Sequence, residues 1–370
     1  MRIGYDAKRI FHNRTGLGNY GRDIIRILNE YTPIEEFFLF NTRRAAVDSF
    51  VPSVKTTVVY PKNWFWKTFP SLWRLFGQWK QIKSYKLSGF HGLSGEIPIQ
   101  FWEYDIPKIV TIHDLIFLSH PQYYKVWDRI IYKLKFRYAV KMADHVIAIS
   151  EQTKSDIITY FKTEPNKITV IYQGCNDAYK QSYGDEEREA VRKKHGLPKE
   201  YIINVGTLQE RKNVLPLIKA IHGTDYHLVL IGKNKKYAKK LYSYVEKNGL
   251  QNQVSFLKNI DVKELAILYQ NATVFCYPSI CEGFGIPIIE AMYSKTPVIV
   301  TKGGCFPEAA GPDAIYIDPK NVADIKEKLE WIFNNPEERK RIAEKGYTYV
   351  QRFSDDKVGE NLMNLYKAIL

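Results

Sequence analysis

A chain of 370 residues with 45% hydrophobic and 25% charged content is a folded protein too long for one ordinary core, so two domains of about 150–200 residues each are expected. The formal net charge of +14 favours acidic partners; with no zinc finger and no RNP-type aromatic motif, nucleic acid ranks below phosphate-bearing ligands and anionic membrane. No run approaches the ~18 apolar residues of a spanning helix, the start MRIGYDAKRI has no apolar signal core, and cytoplasmic residence is expected.

RIGYD (2–6) reads as the first strand. GLGNYG follows, with Gly16, Gly18 and Gly21 spaced G-x-G-x-x-G ahead of a helical run over 18–30. That spacing matches a dinucleotide-binding turn. Such a turn needs its first glycine directly after strand one, and here Lys8 to Thr15 intervene. It also needs an acid at the end of strand two, whereas FLFNTRR ends on Arg43 and Arg44. A nicotinamide site is therefore disfavoured, and the glycines are read as a flexible loop at a helix start.

Further strands are expected at 37–40, 56–60, 89–93, 108–113, 145–150 and 168–172, with helices over 70–86, 123–143 and 151–161. Most of these strands are continuous Val, Ile or Phe runs, as in a parallel sheet covered on both faces. Residues 62–86, KNWFWKTFPSLWRLFGQWKQIKSYK, combine four tryptophans with basic residues. From Pro70 on, Leu72, Trp73, Leu75, Phe76, Trp79 and Ile82 form a helical apolar stripe flanked by Lys67, Arg74, Lys80, Lys83 and Lys86. Two readings stand: a core helix with a solvated basic side, and an interfacial helix on an anionic membrane.

The polar run QGCNDAYKQSYGDEE (173–187) is read as the connection between domains. Strands resume at 201–206, 227–232, 254–257, 273–278, 297–301 and 314–318; two helices follow over 321–352, and a last helix ends the chain. The fold class is α/β, two Rossmann-like doubly wound domains with an interdomain cleft. The amino-terminal domain spans 1–180, the carboxyl-terminal domain 190–354, and the last helix 355–370.

Three segments carry chemistry. In SICEGFGIPIIEAM, seven residues separate Glu282 from Glu290. Gly283, Phe284 and Gly285 lie between them, and Pro287 stands where a helix begins. Glycines admit a ligand to the backbone, the free N–H groups of a helix start suit a diphosphate, and two carboxylates suit sugar hydroxyls. In INVGTLQERKN, Arg211 and Lys212 precede a helix expected to be capped by Asn213. A fork and a point charge there would neutralise a departing diphosphate without proton transfer. In VTIHDLIF, His113 and Asp114 follow an apolar strand, where a histidine can bond a sugar hydroxyl or place its carbonyl near the reacting carbon. His91 is read as structural. Cys175, Cys276, Cys281 and Cys305 form no C-x-x-C pair, so reduced thiols are expected and no metal site.

Together GLGNYG, TIHD, VGTLQERKN and YPSICEGFGIPIIEAMYSKTPVIVTKGGCFPEAAG, in this order, resemble the group 1 retaining glycosyltransferases of GT-B fold, with their E-x7-E motif. The resemblance covers nearly the whole chain. It implies an acceptor-binding domain over 1–180 with helix 355–370 crossing back to it, and a nucleotide-sugar-binding domain over 190–354 in which Arg211 and Lys212 bind the donor phosphates and Glu290 the ribose. Glu282 and the Gly283–Gly285 backbone would hold the donor sugar, His113 would contact it, and Gly16 and Gly18 would close over donor and acceptor. It also implies a nucleotide diphosphate sugar as co-substrate, with GDP-mannose favoured and UDP- and dTDP-sugars as the others. No metal or other cofactor is expected, and the acceptor would be a glycan or lipid-linked saccharide. A sugar-nucleotide epimerase or phosphorylase of the same architecture is the alternative, ahead of an NADP-dependent oxidoreductase.

Overall fold

Seven parallel strands form the first sheet: β1 (Arg2–Asp6), β2 (Glu36–Phe40), β3 (Thr56–Val59), β4 (Gly89–Gly92), β5 (Lys108–Ile112), β6 (His145–Ala148) and β7 (Ile168–Val170). Six form the second: β8 (Ile202–Val205), β9 (Leu228–Ile231), β10 (Val254–Leu257), β11 (Val274–Tyr277), β12 (Val298–Thr301) and β13 (Ile315–Ile317). The structure is a computed structural model and describes residues 1–13, 15–34, 36–44, 52–99, 106–233 and 236–370. It divides into a unit of Met1–Gly174 with Phe353–Leu370 and a unit of Cys175–Arg352.

The strand orders are β3-β2-β1-β4-β5-β6-β7 and β10-β9-β8-β11-β12-β13. Each is the doubly wound pattern, with its order reversing between β1 and β4 and between β8 and β11. Burial on both faces explains the continuous apolar strands. Along β2, Phe37 and Leu39 enter one core with Ile3 and Tyr5, while Phe38 and Phe40 enter another with Phe90 and Val110.

The last helix, Asp355–Ile369, completes the first unit. Val358, Leu362 and Tyr366 share a core with Ile24, Ile27 and Leu28 of helix Gly16–Tyr31, and Arg26 pairs with Asp355 at 2.9 Å. The 173–187 run is not all connection. Asp185, Glu186 and Glu187 open helix Asp185–Lys194, where acids suit the amino-terminal dipole.

Two expectations about the first unit are corrected. The glycines are not a loop: Gly16 is the first residue of helix Gly16–Tyr31, and Gly18 and Gly21 lie inside it. The spacer before them holds a short helix, Lys8–His12, which the close approach of Gly18 to Asn13 and Arg9 lets pack tightly. Residues 70–86 are not one helix. Pro70 starts a new turn after helix Trp64–Thr68, a π-turn follows at Trp73–Gly77, and helix Trp79–Ser84 ends the segment. Arg74 does not join a solvated basic side. It is buried and pairs with Asp6, at the end of β1, and with Glu96. Trp73 and Ile82 are core, whereas Trp64, Phe65, Phe69, Leu72 and Phe76 remain exposed.

Candidate active site

A dense polar cluster of the second unit is built after the ends of β8 and β11. After β8, a single turn, Glu210–Lys212, presents Arg211 and Lys212. Asn213 follows in left-handed backbone, φ 56°, which asparagine tolerates better than most residues. Its side chain does not cap the next helix, contrary to expectation. Instead it donates to the carbonyls of Pro278 at 3.1 Å and Pro319 at 2.6 Å, tying the Arg-Lys turn to the loops after β11 and β13. The Ile280 N–H adds a bond to the Arg211 carbonyl at 2.8 Å.

This places Glu282 between the two cations. Its carboxylate meets Arg211 Nη1 at 2.7 Å and Lys212 Nζ at 2.5 Å, and accepts from Ser279 Oγ at 2.6 Å and Tyr277 Oη at 3.0 Å. Its side chain is only 9% exposed. Burial alone would raise the Glu282 pKa, but Lys212 and Arg211 hold it down, to about 2. Burial lowers that of Lys212, opposed by Glu282. The cluster keeps one net positive charge, and Arg211 is its more exposed cation.

Helix Ile286–Tyr293 begins beside this cluster. Gly285, at φ 109°, precedes it and offers no side-chain cap, and Pro287 occupies its first turn. Phe284 is 2% exposed, so Gly283–Gly285 can offer a ligand only backbone. Glu290 lies in this helix, half-buried, and accepts from Tyr269 Oη at 3.3 Å. Beyond β12, Lys302, Gly303, Pro307 and Tyr316 help line a cavity of about 400 Å³.

In the first unit His113 directly follows β5. Its Nε2 bonds the Leu93 carbonyl at 2.8 Å, and because a carbonyl only accepts, Nε2 carries the proton and Nδ1 is the acceptor. Thr153 Oγ1 donates to the His113 carbonyl at 3.3 Å. Tyr20, from GLGNYG, meets the His113 ring edge-on at 4.5 Å and bonds Thr111 at 3.2 Å. Thr111 also bonds His91, His91 bonds Tyr366 of the last helix at 2.7 Å, and Tyr366 bonds Tyr5. One buried polar chain thus runs from the last helix to Tyr20, whose ring meets His113 edge-on. Tyr20, Tyr277 and Ser279 escape the sequence reading, although each lies within or beside a motif already singled out. Gly16 is exposed and Gly18 is buried.

Burial drives the pKa of His91 from 6.5 to about 3 and that of His113 to about 4. Both stay neutral when folded, so below pH 6.5 the unfolded chain binds more protons and stability falls with pH. Stability is expected to be flat above pH 7 and to drop by roughly 2 kcal/mol per histidine by about pH 5. Urea unfolding followed by indole fluorescence checks this, since all but one of the seven tryptophans lie in the first unit. His91→Gln should flatten the slope; an unchanged slope would show that neither burial nor this chain sets it.

Comparison with known proteins points one way. Residues 187–349 match the family Glycosyl transferases group 1, and residues 37–179 match Glycosyltransferase Family 4. The O-antigen chain mannosyltransferase RfbU of Salmonella typhimurium is 31% identical over 263 residues, 70% of this chain and 68% of that protein. The O-antigen chain mannosyltransferase B of Escherichia coli is 25% identical over the full length of both. Among solved structures, sucrose-phosphate synthase from Thermosynechococcus elongatus has a TM-score of 0.80 at 20% identity, covering 100% of this chain and 98% of that one. HepE of Anabaena, in complex with UDP-glucose, has a TM-score of 0.77 at 16% identity, covering both chains fully. These two establish the GT-B fold.

Proposed function

This chain belongs to the group 1 glycosyltransferases, and on that premise we propose that it moves mannose from GDP-mannose to a saccharide acceptor, with retention of configuration and no metal ion. The epimerase, phosphorylase and oxidoreductase alternatives fall away with the family. The relatives named above, both mannosyltransferases of O-antigen chains, favour the sugar and an acceptor of bacterial polysaccharide type. HepE is in complex with a uridine nucleotide and the relatives' names give a sugar without a base, so the choice of GDP rests on the family resemblance.

The observation that carries the reading is the Arg211–Glu282–Lys212 cluster beside an uncapped helix start. Arg211 and Lys212 neutralise the diphosphate as it leaves, which is electrostatic catalysis needing no proton transfer. Glu282 acts first as the buried counter-charge that orients both cations. Glu290 takes the ribose hydroxyls, and the backbone of Gly283 and Gly285 lines the donor. His113, neutral and with Nδ1 as acceptor, receives a sugar hydroxyl. Gly16 and Gly18 bring the helix start of the first unit to the substrates. The acceptor is carried on lipid, and residues 62–86 meet an anionic membrane. Exposed Trp64, Phe65 and Phe69 support that step. Among the described residues no helix is long and apolar enough to cross a membrane.

A thermal-shift series tests the donor. GDP and GDP-mannose are expected to raise the midpoint, since a ligand at a hundred times its Kd stabilises the folded state by about 2.7 kcal/mol. UDP and dTDP should do so less, and Arg211→Ala should abolish the shift. A larger shift with UDP-glucose would overturn the choice of donor; no shift with any nucleotide would overturn the site.

A further inference from the structure

The first unit exposes a second apolar face, away from residues 62–86 in sequence. Helix Val126–Met142 turns Val126, Trp127, Ile130, Ile131 and Leu134 to solvent. Trp127 is 76% exposed, as bare as Trp64 at 74%. Of the sixteen large apolar side chains exposed among the described residues, eleven lie in 64–76 and 126–134. Burial in a core explains neither group, and clustered exposure of this kind marks an interaction surface.

The spacing shows what the helix is built for. The five apolar residues fall at i, i+1, i+4, i+5 and i+8, one continuous stripe. Lys125, Arg129, Lys133, Arg137 and Lys141 recur every four residues, the first three on one side of the stripe and the last two beyond its carboxyl end. Acids are scarce: Asp128 is the only one in 125–142, and 62–86 contains none. The two segments are also tied together. Glu96 pairs with Arg74 of the π-turn and lies 3.7 Å from Lys135 of this helix.

We propose that helix Val126–Met142 and the 64–76 segment form a single docking surface for an anionic lipid bilayer. The inference rests on the reading that residues 62–86 meet a membrane, and it adds the second helix. Two basic-edged aromatic faces without acids fit a bilayer of negative headgroups, where indole rings favour the interface and cations the headgroups. A protein partner or a second copy would have to present acids to both rows, and this chain carries 40 acids against 54 lysines and arginines.

Co-sedimentation with vesicles tests the proposal, using phosphatidylcholine alone and phosphatidylcholine with phosphatidylglycerol, at low and high salt. The unmodified protein should bind only the phosphatidylglycerol vesicles and be released by salt. Trp127→Ser with Ile131→Ser should weaken binding at least tenfold, as should Trp64→Ser with Phe65→Ser, each leaving the nucleotide-induced thermal shift intact. If the helix variant binds like the unmodified protein while the Trp64 variant does not, the added helix is wrong and the reading of 62–86 stands. No binding by the unmodified protein overturns both. A dimer seen by light scattering and dissolved by the helix variant would also overturn the lipid assignment, in favour of a second copy.

Discussion

Glu282→Gln is expected to lower transfer at least a hundredfold and to destabilise the second unit. Glutamine keeps the size and one acceptor oxygen, but it turns an amide N–H toward Arg211, Lys212, Tyr277 and Ser279, and the Cys281 carbonyl that Arg211 also reaches at 2.7 Å carries no charge to replace the carboxylate. Arg211 and Lys212 then face each other at a buried position without a counter-charge. Removing one partner of a buried ion pair costs about 3–5 kcal/mol, and the 9% exposure of Glu282 leaves little water to soften it. Loss of one preorganised electrostatic group at a reaction centre costs on the order of a hundredfold to a thousandfold in rate. Lys212→Met should be milder in stability, since Arg211 at 2.7 Å still compensates the carboxylate. The two changes together should cost less than their sum, with a coupling of at least about 1 kcal/mol. Urea unfolding of the four proteins in that cycle, with transfer assayed on each, decides it. Additive stabilities would mean that the carboxylate does not hold the lysine, and full activity in Glu282→Gln would remove the cluster from the mechanism.

Gly18→Ala should unfold or severely weaken the first unit, by about 3 kcal/mol or more. A Cβ there would lie 1.8 Å from the Asn13 carbonyl oxygen and 3.0 Å from that of Arg9. Both obstacles are backbone, so no flexible side chain can yield. Gly21→Ala meets only side chains, Ile10 at 2.8 Å and Leu93 at 3.8 Å, and should cost less. At Gly16 nothing lies within 4 Å, and alanine should be neutral or stabilising by up to about 1 kcal/mol through helix propensity. Thermal unfolding by circular dichroism ranks the three. A Gly18→Ala protein as stable as its parent would refute the packing account. A stable Gly16→Ala protein with lost activity would instead mark Gly16 as a residue that substrate must approach.

Local composition alone located the strands, set the fold class and singled out the strand ends as candidate sites. Strands buried on both faces must be continuous apolar runs, so their positions are written in local composition. Arg211, Lys212 and Glu282 were visible because each lies in the loop that follows such a run. Their mutual arrangement was not. That Glu282 lies between the cations, with Tyr277 and Ser279 beneath it, depends on parallel register between β8 and β11, whose residues are about 70 positions apart. Asn213 had the composition of a cap, but the neighbouring carbonyls of Pro278 and Pro319 outcompeted the helix for its side chain. The helix at Lys8–His12 is too short to show a period, so the glycines after it looked like a loop. In 70–86 the period was real but misleading. Pro70 and the π-turn at Trp73–Gly77 interrupt the helix, and only the three-dimensional approach of Asp6 and Glu96 decided that Arg74 goes inward while Leu72 and Phe76 stay out. Periodicity reports how a residue faces its own helix; whether that face meets core, counter-charge or solvent is set by what the rest of the chain brings there.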